Sequence, residues 1–142
     1  MKNLNELQSE LHRIRENIDI NNEYSLFFEI EPSRVIDNDR DLEILENEYR
    51  IVNSEKGKFT GSISFKDSNE LIYYFLKNGI SQMVARTPLG FGTMTEERLR
   101  LIMDAQIELM EHAKPEWVDQ YRLELDNSFS QNLEVRKKLK IL

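Results

Sequence analysis

Apolar residues near the start of the chain recur every three or four positions: Leu4, Leu7, Leu11, Ile14 and Ile18, with charges between them. That spacing predicts an amphipathic helix over residues 3–18. The rhythm then changes. "EYSLFFEIE" is rich in aromatic and β-branched residues and lies between Asn21-Asn22 and Pro32, so it reads as a strand. A stretch poor in apolar residues follows, in which "DLEILE" has the character of a short strand. "NEYRIVNSE" and "KFTGSISFKD" then alternate as two strands, and Lys56-Gly57 supplies the turn of a hairpin. Ile63 and Phe65 are expected on its buried face, with Ser62 and Ser64 outside.

The second half has a helical period. Ser68 is the expected N-cap of "NELIYYFLKNG", Glu70 falls in the first turn, and Gly79 is a stop or a kink. "ISQMVAR" continues this helix or begins another. The loop "TPLGFGT" concentrates Pro88, Gly90 and Gly92. Thr93-Met94-Thr95-Glu96 has capping-box spacing and opens a helix to about Ala113, with Leu99, Ile102, Met103, Ile107 and Met110 inside. Pro115 opens a last helix, lined on one side by Trp117, Tyr121 and Leu125. The order defines an α+β class. A helix comes first, then a small antiparallel sheet of three to four strands, then three or more helices packed on it. Residues 1–142 are expected to form a single domain, its basic end "EVRKKLKIL" being a final helix or a frayed tail.

Composition narrows the function. With 39% apolar and 32% charged residues the chain is an ordinary globular sequence. It has no cysteine, which removes disulfides, thiolate metal sites and a cysteine nucleophile. "MKNLNELQSELHRIREN" has no continuous apolar stretch and does not read as a signal peptide, and no run has membrane-spanning length. These features point to the cytoplasm and away from a membrane partner.

Charge changes the picture most. The net charge is −7, and residues 19–48 hold ten acids against Arg34 and Arg40, which is −8 for that segment and +1 for the rest. Phosphate would be repelled there, so nucleic acid is not the expected partner. Asp37, Asp39 and Asp41 with Glu48 have the spacing of a calcium loop, but Leu42 stands where the turn needs glycine and no helix enters it. No metal or cofactor is assigned. Two readings of the run stay open: a solvated sheet edge guarded by charge, and a docking surface for a positive protein built from Asp37, Asp39, Asp41, Glu43, Glu46 and Glu48.

Catalytic signals are weak. His12 and His112 lie in separate helical stretches without ligand companions, and "TPLGFGT" lacks the lysine of a phosphate loop. No serine sits in a nucleophile elbow. Trp117 reads as core, and the aromatics of "LIYYFL" occupy more than one helix face, leaving a homodimer open.

"EYRIVNSEKGKF", "DSNELIYYFLKNGISQMVA" and "ERLRLIMDAQIELMEHAKPEW" together resemble the immunity protein 63 family of bacterial polymorphic toxin systems. The resemblance covers roughly residues 48–129 and rests on order and spacing. Its carriers are the turn Glu55-Lys56-Gly57, the pair Arg98 and Arg100, and the step Pro115-Glu116-Trp117. Lys56 stands where the pattern has arginine, and Phe59 where an acid is often found. The resemblance implies a non-enzymatic, cytosolic protein that binds and neutralises a cognate toxin domain. Many such toxins are nucleases with basic grooves, which the acidic run would mask. The alternative is an adaptor or regulatory binding module without a toxin partner.

Overall fold

The structure, a computed structural model, describes residues 1–30, 33–35 and 38–139, with the backbone alone for residues 33–35, 38 and 39. The first helix, α1, runs Leu4–Arg15. Asn3 accepts the amide of Glu6 while Glu6 reaches back to the amide of Asn3, a complete capping box. The observed helix starts one residue after the predicted start and ends three residues before the predicted end. Its end is set by the buried side chains that follow: Arg15 reaches Asn22 at 2.6 Å and Asp19 at 3.5 Å. Asp19 in turn accepts the amides of Glu23 and Tyr24 at 3.0 and 2.9 Å, which bends the chain away from the helix axis.

That bend overturns the strand expected over "EYSLFFEIE". Ser25–Phe28 is a turn of 3-10 helix, and Phe28 is fully buried. The backbone just beyond it pairs with a side chain in place of a strand. Gln8 of α1 donates to the carbonyl of Phe28 at 2.8 Å and accepts the amide of Ile30 at 2.7 Å. One buried amide side chain therefore satisfies both groups that a β-ladder would otherwise claim.

Four antiparallel strands follow in sequential order: β1 Ser33–Val35, β2 Asn38–Ile44, β3 Tyr49–Glu55 and β4 Lys58–Phe65. Lys56 and Gly57 turn the β3–β4 hairpin with φ of +52° and +78°, the left-handed pair that a two-residue hairpin requires. A register shift between Asn53 and Ser54 marks a bulge near that turn. Tyr49, Ile51 and Phe65 are buried on the face that meets the helices, while Ser62 and Ser64 are exposed on the other. Ile63, expected inside, keeps 39% of its surface because the helices cover only the Phe65 end of β4.

The second helix, α2, runs Ser68–Ala85 without interruption. Its N-cap is Asp67, one residue before the serine favoured by sequence, and Asp67 accepts the amide of Glu70 at 2.9 Å. Gly79 neither stops nor kinks it. A Cβ there would lie 2.2 Å from the ring of Phe28, so the missing side chain is what lets that ring pack against the helix. This helix is central, which explains aromatics on more than one face. Tyr74 meets Phe65 at 5.2 Å on the sheet side, and Tyr73 meets Trp117 edge-on at 5.3 Å on the other. Both faces are thus covered by the chain itself.

The loop 86–95 carries a 3-10 turn at Pro88–Gly90. The third helix, α3, runs Glu96–Ala113 and is capped by Thr95, which accepts the amide of Arg98; the cap lies two residues later than the predicted box. Ile107 and Met110 are buried, and Leu99, Ile102 and Met103 are half-buried. After a 3-10 turn at Pro115–Trp117, the fourth helix, α4, runs Val118–Lys138. Its Tyr121 is buried, and the pattern Trp117, Tyr121, Leu125 packs inward as the spacing indicated. The whole is α+β: a helix, an antiparallel sheet, then helices on one face of it. Among the described residues, no helix is long and apolar enough to cross a membrane.

Candidate partner-binding surface

Strand pairing decides which acids meet. Along β2 the residues Arg40 and Leu42 turn towards the helices, Arg40 lying 5.3 Å from the centre of the Phe75 ring. By strand alternation Asp41 and Glu43 take the opposite face, away from every helix. Register places Asp41 opposite Val52 and Glu43 opposite Arg50. Asp39 lies opposite Ser54 in the same ladder. Glu46 is exposed in the turn between β2 and β3, and Glu48 closes that turn, its carbonyl accepting the amide of Leu45 at 2.9 Å. Asp37 lies outside the described residues. Of the six candidate carboxylates, the structure gathers Asp41, Glu43 and Glu48 around one patch of the outer face, with Glu46 at its tip.

Arg50 is the residue that counting by segment missed. It donates to Glu48 at 2.7 Å and lies 3.9 Å from Glu43, so two of the acids share one guanidinium. All three side chains remain more than a third exposed, where such pairs contribute about 0–1 kcal/mol. The hairpin register was the signal, since a turn between Ile44 and Tyr49 sets Glu43 against Arg50. Other acids of the run serve elsewhere. Asp19 is buried as a loop cap, and Glu29 lies 3.5 Å from His12. The negative surface is therefore smaller than −8. It is concentrated on β2 and the β2–β3 turn.

The calcium alternative fails on backbone geometry. Residues 38–44 are a paired strand and 45–48 a tight turn, an arrangement that cannot wrap around one ion. Among the described residues, no three histidine, aspartate or glutamate side chains are placed to hold a metal ion.

The glycine loop is not a phosphate cradle either. Arg98 donates to the carbonyls of Pro88 and Leu89 at 3.0 and 3.2 Å and also to that of Phe91. The loop thus turns carbonyl oxygens towards a cation, the inverse of an anion site. Its neighbour Arg100 pairs with Glu96 at 3.2 Å and stacks on Phe129 at 4.8 Å. The arginine pair of the sequence pattern is therefore structural, one member fastening the loop and the other joining α3 to α4. His112 and Glu108 line an apolar cavity of about 680 Å³ with Tyr24, Met83 and Leu109, and the Thr87 hydroxyl at its wall is spent on the carbonyl of Val84 at 2.6 Å.

A second polar cluster, unseen in the sequence, ties α2 to α4. The hydroxyl of Tyr73 donates to Glu124 at 2.6 Å, and Lys77 reaches the same carboxylate oxygen at 3.3 Å while lying over the Tyr73 ring. The hydroxyl of Tyr121 donates to Gln106 at 3.0 Å. Burial, with Glu124 beside them, holds both phenols above the ordinary tyrosine value. The Tyr73–Lys77 spacing of four was visible, but its partner lies 47 residues away from Lys77 and only the fold supplies it.

The fold is thus an α+β domain whose sheet carries helices on one face and the acids of β2 on the other. The family model for immunity protein 63 matches residues 46–127, more than half of the 142, and the chain belongs to that family. An immunity protein acts on a cognate toxin, and it is not an enzyme. Comparison with curated proteins gives no match, and comparison with solved structures gives none. The matched span holds β3, β4, α2, α3 and the first half of α4, with Glu46 and Glu48 of the acidic run.

Proposed function

We propose that this immunity protein neutralises its toxin by laying the acidic outer face of β2 and the β2–β3 turn against a cationic surface of the toxin domain, such as the phosphate-binding groove of a nuclease. The observation that carries this reading is the placement of Asp41, Glu43 and Glu48 on the one sheet face that no helix covers, with Glu46 exposed beside them. Asp37 and Asp39 complete the proposed contact set. Opposite charge raises the rate of encounter more than it raises the final affinity, so masking by such a patch depends on salt. The partner meets acids that are partly answered by Arg50. Docking therefore exchanges one guanidinium for another, and the patch is attractive without being an uncompensated cluster.

The test is association kinetics with the cognate toxin domain. Reversing Glu43 and Glu46 together to lysine is expected to slow association about tenfold or more at low salt, with a smaller change in dissociation. Association that is equally fast in the reversed protein, and insensitive to salt in the parent, sinks the masking mechanism.

A further inference from the structure

The two edges of the sheet are unequal. β1, only three residues long, closes one side, whereas β4 ends the other and its eight residues pair with β3 alone. Along β4 only Phe65 is buried, and Phe59 keeps 68% of its surface. Among the described residues, no hydrogen bond outside the β3–β4 ladder reaches residues 58–65. In an antiparallel pair every second residue points both its N–H and its C=O away from the neighbouring strand. The outer edge of β4 therefore presents a row of unpaired backbone groups. A bulge at Thr60 breaks the edge near the turn, but from Gly61 to Phe65 the pairing is regular and "GSISF" contains no charge and no proline. A neutral, β-prone run on an open edge is the surface that strand addition uses.

We propose that β4 is a docking edge that receives an extended segment of the toxin as an added strand, a proposal that rests on the immunity reading above. The lysines select the occupant. Lys56 and Lys58 stand at one end of the strand and Lys66 just beyond the other, where it is 78% exposed and 3.7 Å from Glu70. A second copy pairing antiparallel about Ser62 would set Lys58 against Lys66, and a parallel copy in register would set each lysine against itself. Like charges directly opposite destabilise a strand pair, and two chains of −7 also repel at longer range. A strand flanked by acidic residues is attracted at both ends. Its addition leaves the helix-free face of the sheet, with Asp41, Glu43 and Arg50, open to the rest of the same toxin.

Two proline variants, Ser62→Pro and Ile63→Pro, test this whichever of the two amides faces outward. Because the direction alternates, one variant loses a ladder bond and the other only a solvent-facing N–H; the second is recognised by a melting temperature close to the parent's. The cognate toxin domain is then titrated into parent and tolerated variant, with sedimentation of each alone. The expected result is binding weakened about tenfold or more by the tolerated proline, together with slowed amide exchange across residues 59–65 of the parent on toxin binding. Unchanged affinity overturns the proposal, as does a parent dimer that the proline dissociates. Should neither proline variant fold, Lys58→Glu takes their place: several-fold weaker binding supports the acid-flanked strand, and equal binding overturns it. A parent that does not bind the toxin removes the immunity reading and this proposal together. A parent that binds through an unchanged β4 removes this proposal only.

Discussion

The two faces of the sheet are made from the same strands and obey different physics. The inner face holds Tyr49, Ile51 and Phe65 against α1 and α2, each less than a tenth exposed. Full burial of side chains of this size contributes about 1.5–3 kcal/mol apiece. The outer face holds Asp41, Glu43, Arg50, Ser62 and Ser64, whose ion pairs lie in water and add little to stability. A substitution on one face should therefore change how much protein is folded. On the other it should change how fast a partner arrives.

The sharpest break on the inner side is Gly79→Ala. The added methyl would lie 2.2 Å from Cε1 of the Phe28 ring, which is itself fully buried and held by the Gln8 clamp on the adjoining backbone. Overpacking of this kind costs about 1–3 kcal/mol. Chemical denaturation should show the midpoint fall with an unchanged slope, while association with the toxin, measured per folded molecule, stays at the parent rate. A parent-like midpoint would mean that Phe28 has another place to go.

Next in size is the seam between α2 and α4. Tyr73→Phe removes the hydroxyl that donates to Glu124, worth about 1 kcal/mol for a half-exposed bond to a charged acceptor. The same seam predicts a pH limit. Tyr73 and Tyr121 both release their protons less readily in the folded state than in the unfolded chain. Below the ordinary tyrosine value of about 10 both states are protonated and the contribution is fully present. Above it the unfolded chain loses protons first, so stability falls as pH rises. Tyr73→Phe should flatten that alkaline decline when midpoints are followed between pH 9 and 11, and Tyr121→Phe should do the same. An equal slope in all three proteins would show that neither phenol governs it.

The sequence carried these features unequally, for physical reasons. Periodicity and turn chemistry are local, so α1, the β3–β4 hairpin and the three later helices could be placed to within a few residues. Features that depend on a distant partner could not. The aromatic strand expected around Phe27 became a 3-10 turn because Asp19 and Gln8 captured its backbone, and neither side chain announces such a role. Caps moved by one or two residues because Asp67 competes with Ser68, and Thr95 with Thr93, on geometry that composition does not encode. For the acidic surface, the sequence showed a run of carboxylates, and it is the β2–β3 register that sets Asp41 opposite Val52 and Glu43 opposite Arg50. Counting charge along the chain overstated it, because charge is balanced across the ladder and Arg50 lies just past the counted segment.

That omission makes Arg50→Gln a more searching test of the outer face than another lost acid. Removing the guanidinium frees Glu43 and Glu48 together and should cost no more than about 1 kcal/mol, since both pairs are exposed. If the face steers a cationic toxin, association should become several-fold faster and its salt dependence steeper, the opposite sign to any acid-to-lysine change. Slower association would instead make Arg50 itself a contact.

Glu46→Gln isolates the smallest effect. Glu46 is exposed in the β2–β3 turn and forms no ion pair among the described residues, so its removal should leave the melting temperature where it was. Its charge can act only through the field it adds in front of the sheet. The field of one exposed carboxylate decays over about 8–10 Å at physiological ionic strength and over about 3 Å at 1 M salt. Association should therefore slow by a factor of about two at low salt, and the difference from the parent should vanish as salt approaches 1 M. Loss of binding that persists at high salt would require Glu46 to be buried in the complex and hydrogen-bonded there. The turn would then be the centre of the interface, where steering by charge counts for less than the contacts it makes.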